Sequence, residues 1–188
     1  MHLYEETIDS KLKFDGRVFK AYLDIVRLED NSETVREFVE HSGGVGILPI
    51  TPDGDVLLVK QYRYGGKAVT LEVPAGKLEL NEDPEKGAIR ELAEETGYMP
   101  SELHYFGAIF PSPAYCSEII HIYIADKIKF LPGNPGQKLD KEEFLDIVKI
   151  PFKKAVEMVM QGEIWDAKTQ ILILKANLML GQHLITNA

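Results

Sequence analysis

The sequence predicts a mixed α/β fold, a mixed sheet with helices packed on it, preceded by a small β-rich piece. Three observations carry this. Extended apolar runs fill the first third, one strongly capped helix stands mid-chain, and two helical patterns come late. A chain of 188 residues with 45% apolar content can bury a core without disulfides or structural metal.

Residues 3–41 read as extended segments. Val18–Leu28 and Thr34–His41 flank a polar turn at Glu29–Glu33, and Lys13-Phe14-Asp15-Gly16 offers an earlier turn. His41-Ser42-Gly43-Gly44 closes this piece. The predicted organisation is therefore an N-terminal β subdomain over 1–41 and a main domain over 42–188. Val45–Ile50 and Asp55–Lys60 surround Thr51-Pro52-Asp53-Gly54 and read as a hairpin. Val69–Val73, Leu103–Phe110, Glu118–Ala125 and Phe144–Ile150 are further strands, the last preceded by a Pro/Gly loop at Leu131–Leu139. Asp83-Pro84 opens a helix that runs to about Thr96, where Gly97 can close it, with Ala88, Ile89, Leu92 and Ala93 as its apolar side. A second helix covers Phe152–Gln161, with Phe152, Ala155, Val156 and Val159 inward. A third starts near Asp166 and ends by Gly181. Trp165, Met158, Met160 and Met179 are expected to fill helix packing.

Lys plus Arg number 21 and Asp plus Glu 30, a net charge of −9. Such a chain is a poor electrostatic partner for nucleic acid or an anionic membrane. A phosphorylated substrate would need cations to bridge the repulsion. The single cysteine, Cys116, excludes an intramolecular disulfide and fits a reducing cytosol. No apolar run is long enough to span a bilayer, and Met1–Ser10 lacks a signal-peptide pattern, so the expected address is cytoplasmic. Five histidines are scattered without ligand spacing, and His104 and His121 are read as strand residues.

The chemistry concentrates in residues 76–98. Glu91, Glu94 and Glu95 are spaced i, i+3, i+4 and share one face of the capped helix, opposite Leu92. Arg90 can pair with Glu94, which leaves Glu91 and Glu95 for a hard divalent cation such as Mg²⁺. Glu95 is expected to be exposed. Gly76, Glu82, Arg90, Glu91, Glu94, Glu95 and Gly97 fall at the spacing Gly-x5-Glu-x7-Arg-Glu-apolar-x-Glu-Glu-x-Gly, with Leu92 as the apolar residue. This resembles the Nudix box without departure. Seven fixed residues at roughly one in fifteen each put chance agreement on the order of 10⁻⁸ per starting position.

The resemblance implies an α/β/α sandwich and a hydrolase of nucleoside diphosphates linked to another moiety. It implies Mg²⁺ or Mn²⁺ held by the helix carboxylates, where the cation neutralises developing charge and helps deprotonate water. Glu91 and Glu95 are then direct ligands, Glu94 a ligand or a supporting catalytic group, and Arg90 the residue that orients them. Gly76 lets the loop backbone approach the metal, and the Ala75 carbonyl is a further ligand.

The flanks refine the resemblance. Pro113 stands fifteen residues beyond Tyr98, inside Phe110-Pro111-Ser112-Pro113-Ala114-Tyr115. Val35-Arg36-Glu37, Gln61-Tyr62-Arg63 and Glu72-Val73-Pro74-Ala75-Gly76 precede it in order. Together they resemble the ADP-ribose/ADP-sugar pyrophosphatase subgroup over about Arg17–Gln161, although Ala114 stands where that subgroup usually has glycine. The resemblance implies cleavage of ADP-ribose to AMP and ribose 5-phosphate. It makes Arg36, Arg63, Glu72 and Glu118 substrate contacts, with Pro113 shaping the site. It also implies a homodimer whose N-terminal β piece helps complete the partner's nucleotide pocket. Metal-bound box glutamates are poor bases, so the water-activating carboxylate is sought in Asp140-Lys141-Glu142-Glu143, with Glu142 as base and Glu143 as ligand. Two rivals remain: hydrolysis of another ADP-sugar or dinucleotide, and a non-catalytic ADP-ribose-sensing regulator. The regulator would call for a damaged box or an added DNA-binding helix pair.

Overall fold

The computed structural model describes residues 3–131, 137–139 and 144–181. The chain forms two compact units, Met1–Gly43 with Phe110–Ile119, and Gly44–Ile109 with Ile120–Ala188.

In the first unit, β1 (Glu6–Asp15), β2 (Phe19–Arg27) and β3 (Glu33–His41) form an antiparallel sheet in chain order. Asn31 takes the positive φ of 65° that the turn before β3 requires. Tyr115 and Ser117 bring Phe110–Ile119 alongside β3: Val39 N–H donates to the Tyr115 carbonyl at 2.7 Å and Ser117 N–H to the Val39 carbonyl at 2.9 Å. Every residue of β1 is exposed, and Ile8, Leu12, Phe14, Phe19 and Ile25 present apolar side chains to solvent.

The second unit is built on two sheets. One has the order β7 (Ala75–Lys77), β4 (Gly44–Pro49), β10 (Ile120–Asp126), β9 (Glu102–Ile109), and it is mixed because β4 and β10 run parallel. The other is antiparallel, β12 (Leu145–Pro151), β5 (Asp55–Arg63), β6 (Ala68–Glu72). Tyr98–Met99 (β8) and Lys129–Phe130 (β11) make a short pair. The expected hairpin over Val45–Lys60 is corrected here. The turn forms, with Thr51 N–H on the Asp55 carbonyl and Gly54 N–H on the Thr51 carbonyl, but β4 and β5 enter different sheets, and an isolated Ile50–Val56 bridge stands where a hairpin ladder is expected. β4 is buried throughout, and β5 over Val56–Val59. Alternation therefore could not show which faces pair.

Side-chain alternation divides the interior in two. Leu48, Val56, Leu58, Ile122 and Ile124 join Ala155 and Val159 of α2 (Phe152–Met160) and Leu172, Ile173 and Ala176 of α3 (Ala167–Gly181). Val45, Ile47, Leu57, Tyr123 and Ala125 join Ala88 and Leu92 of α1 (Pro84–Thr96). Helices thus cover two sides of the strands. The start of α1 is set by Asp83, which accepts from Glu85 and Lys86 N–H, and by Pro84; Gly97 ends it at φ 77°. Two packing expectations are wrong. Trp165, between α2 and α3, is 69% exposed and Met160, the last residue of α2, is 73% exposed, whereas Met158 and Met179 do pack on the core. The buried side of α3 also includes Lys168 and Thr169, which an apolar pattern does not reveal.

Candidate active site

The box residues meet through β7 and α1. Gly76 pairs with Val45 and Ala75 with Gly46 in the β7–β4 ladder. A Cβ on Gly76 would overlap the Glu91 carboxylate, so that carboxylate rests directly on bare backbone. Glu95 accepts from Ala75 N–H at 3.0 Å. The expectation of an exposed Glu95 is corrected: it is 4% exposed. An i, i+3, i+4 pattern puts Glu95 on the same face as Glu91, and that face lies against β7 instead of water.

Arg90 is the hub. Its Nε and Nη2 donate to Glu82 at 2.8 and 2.9 Å, Nη1 to Glu91 at 2.7 Å and to Glu94 at 2.9 Å, and Nη2 to the Lys77 carbonyl at 3.2 Å. Every N–H of the guanidinium is thereby engaged. Hydrogen bonds to Glu82, then against burial those to Glu91 and Glu94 and the charge of Glu91, raise its pKa far above the ordinary arginine range. The bonds from Arg90 likewise lower Glu82. The picture of Glu91 and Glu95 left uncompensated is therefore too simple. Arg90 spans Glu82, Glu91 and Glu94, and backbone N–H reaches Glu95. Spacing alone marks Glu82 in the sequence; its structural work is to tie the loop before α1 to Arg90. It also accepts from Glu79 N–H.

A second cluster surrounds Glu72, which is 2% exposed. Arg63 donates to it through Nε at 2.8 Å and Nη2 at 2.7 Å, Lys168 Nζ lies 2.6 Å from Oε2, and the Thr70 hydroxyl also donates. Burial alone would raise the Glu72 carboxyl, but Arg63 and Lys168 override it and hold the pKa at about 2. Lys168 also reaches Asp166 at 2.8 Å. Asp166 accepts from Thr169 N–H and hydroxyl at the start of α3, and Thr169 Oγ1 accepts from Val73 N–H. The chain just ahead of Ala75 is thus pinned to α3. Sequence reasoning misses Lys168 and takes Asp166 only as the start of a helix. Only an uncommon lysine in the first turn of an apolar helix pointed to them.

The first unit holds three further predicted residues. Arg36 pairs with Glu5 through Nε at 3.0 Å and Nη2 at 2.7 Å. Arg36 and Pro113 line one hollow of about 380 Å³ with Glu5, Phe38 and Tyr115. Glu118 lies 3.7 Å from His41 Nδ1, which accepts from Gly43 N–H. Ala114 does not adopt a positive φ, so alanine is unstrained there. Glu142 and Glu143 lie outside the described residues. Gln137 Nε2 and Lys138 N–H donate to the Glu95 and Glu94 carbonyls, each at 2.8 Å. Apart from these, Glu102, His104 and Asp126 bring ligand atoms within 4.8 Å on β9 and β10. Cross-strand register, invisible as sequence spacing, assembles that exposed group.

A NUDIX domain model matches residues 40–170, and the chain belongs to the Nudix family. It is a Nudix hydrolase, with a two-sheet core and the box carried on β7 and α1. It is 37% identical over 171 residues to the ADP-ribose pyrophosphatase of Bacillus subtilis (strain 168), covering 91% of each chain. It is equally 37% identical over 169 residues to the methanol dehydrogenase activator of Bacillus methanolicus, covering 90% of each. A solved structure described as an ADP compounds hydrolase shares the fold, with a TM-score of 0.77, 20% identity and 95% of both chains covered. Members of the family generally require a divalent metal. The residues here fit one: the donors are oxygens throughout, Glu91 is seated where a Cβ would stand, and Glu95 is fixed by backbone. Among the described residues no helix is long and apolar enough to cross a membrane.

Proposed function

We propose that this protein hydrolyses the diphosphate of ADP-ribose, with Mg²⁺, to AMP and ribose 5-phosphate. The observation that carries the reading is the organised carboxylate face of α1, with Glu91 on Gly76 and Glu95 on Ala75. The substrate is supported by the relative named as an ADP-ribose pyrophosphatase, which matches nearly the whole chain. Water oxygen bonds to one phosphorus, the bridging P–O bond breaks, and the proton passes to a carboxylate. Glu91, Glu95 and the Ala75 carbonyl would hold the cation, with Glu94 supporting. When bound, it supplies charge neutralisation on the diphosphate and acidifies water. Arg90 fixes the helix carboxylates, so little reorganisation is needed at the moment of reaction.

Glu142 is proposed as the base and Glu143 as an added ligand. The chain reaches the last carbonyls of α1 at Gln137 and Lys138, shortly before them. Arg63, Glu72, Arg36, Pro113 and Glu118 are proposed to contact or shape the bound substrate. The reading includes a cytoplasmic enzyme with a small-molecule partner. It also includes a homodimer, in which the exposed apolar side chains of β1 and β2 would be covered.

The experiment is product analysis after incubation with Mg²⁺ and ADP-ribose, alongside other nucleotide sugars, dinucleotides and a nucleoside triphosphate. AMP and ribose 5-phosphate are expected. A preference above about tenfold in kcat/KM for the triphosphate, about 1.4 kcal/mol of discrimination, overturns the reading.

A further inference from the structure

We propose that Lys168, on α3, is a positioning residue for the substrate's diphosphate: by bonding Glu72 it fixes the carboxylate that orients Arg63 and takes up part of that carboxylate's charge, so that the Arg63 guanidinium can engage an anion. This rests on the reading of Arg63 as a substrate contact in a diphosphatase.

The geometry separates the two cations. Lys168 has a 10% exposed side chain and the Glu72 side chain is 3% exposed, whereas that of Arg63 is 44% exposed. Arg63 spends Nε and Nη2 on Glu72, and Nη1 carries no hydrogen bond among the described residues. A guanidinium held along one edge and open along another presents a fixed fork to phosphate oxygens. Glu72 decides how that fork points, and Glu72 is itself fixed by Lys168 and Thr70. Asp166 belongs to the same network: one oxygen meets Lys168 and the other accepts from Thr169 at the first turn of α3, so two cations balance two carboxylates. The positive end of the helix offsets part of the Asp166 charge. Arg63 also lies within electrostatic reach of Glu95, so the proposed cationic fork and the proposed metal ligands share one neighbourhood.

Stability alone explains this arrangement poorly. A lysine in the first turn of a helix opposes the helix dipole. A buried ion network is often no more stable than apolar side chains of similar volume. What the network adds is orientation: Glu72 is held in place, and the open edge of Arg63 with it.

The test is steady-state kinetics of the full chain on ADP-ribose with Mg²⁺, in a double-mutant cycle. Lys168→Gln keeps a donor for Glu72 and removes the charge, whereas Lys168→Arg keeps the charge. Lys168→Gln is expected to raise KM about tenfold with kcat within about threefold of wild type. Lys168→Arg should stay within about threefold in both. Because Lys168 acts through Arg63, the Arg63→Met/Lys168→Gln double variant should have the KM of Arg63→Met alone. Thermal melts identify any variant that fails to fold, and Lys168→Arg then carries the comparison with Arg63→Met. Additive KM penalties, or a loss confined to kcat, overturn the proposal. Wild-type turnover with unchanged KM in Lys168→Gln overturns it while leaving the enzymatic reading intact. Absence of ADP-ribose hydrolysis by the wild type overturns both.

Discussion

The two charged hubs of the second unit are built with opposite stoichiometry. At Arg90, one guanidinium is shared by Glu82, Glu91 and Glu94. At Glu72, one carboxylate is shared by Arg63 and Lys168. The first hub gathers carboxylate oxygens on a rigid helix, which suits a hard cation. The second fixes two cations around a buried acid and leaves the Arg63 guanidinium half exposed, which suits an anion. A hydrolase of a metal-bound diphosphate needs both. The difference also extends to depth: Arg90 is partly exposed midway along its helix, while Glu72 and Lys168 are almost fully enclosed. A site poor in cations tolerates water, whereas a buried acid must be balanced by protein.

The sharpest break would come at the carboxylate hub. Glu95→Gln should lower kcat by roughly 10²-fold or more, and a chelator should abolish turnover. The fold should survive because the glutamine carbonyl can still accept from Ala75 N–H, which circular dichroism would check. Full turnover in EDTA would remove the cation from the comparison.

Gly76→Ala probes the same hub without touching a carboxylate. The added methyl can be accommodated only if Glu91 moves. We expect a kcat loss of about 10-fold to 10²-fold with melting temperature nearly unchanged. A variant with wild-type kcat would show that the position of Glu91 is not critical.

The Glu72 hub makes a pH prediction. Its carboxyl is held at about 2 against an ordinary value of 4.5. A depressed pKa adds stability that is fully present above about pH 4.5 and is lost as pH falls toward 2. Denaturant titrations of wild type and Glu72→Gln should differ by a constant amount above about pH 5 and converge below it. A gap that stays constant down to pH 3 would show that Glu72 is not held ionised by Arg63 and Lys168.

Legibility in the sequence follows the range of the interactions. The box could be read because its fixed residues lie within one loop and one helix, and the caps Asp83 and Gly97 because capping is local. The N-terminal strands were visible for the same reason. The switch of sheets between β4 and β5 was not, because a tight turn serves a hairpin and a corner equally well. Lys168 meets Glu72 across 96 positions of sequence, and nothing local announces such a pair. The burial of Glu95 depends on where β7 lies, which helical periodicity does not contain. Trp165 shows the converse error: a large apolar residue invites placement in the core, yet it sits at an exposed turn, with its indole N–H on the Gly162 carbonyl.

The smallest effect compares the two helix starts that carry the hubs. Asp83 opens α1 and accepts from Glu85 and Lys86 N–H at 3.1 and 3.2 Å. Its work is local, so Asp83→Ala should cost about 1 kcal/mol of unfolding free energy, the ordinary value for a lost cap. Asp166 opens α3 in the same way but also meets Lys168 and the Thr169 hydroxyl. Removing it leaves a buried lysine with Glu72 alone, already shared with Arg63, and should cost about 2 kcal/mol or more. The difference between the two losses measures what the Glu72 hub adds beyond capping. Kinetics sharpen it further. Asp83→Ala should leave KM for ADP-ribose near wild type, because Arg90 and Glu82 hold the box from the other side of the turn. Asp166→Ala frees Lys168 to move and should shift KM. Equal stability losses with equal KM values would mean that Asp166 is a cap and nothing more, and that the α3 end of the hub does not reach the substrate.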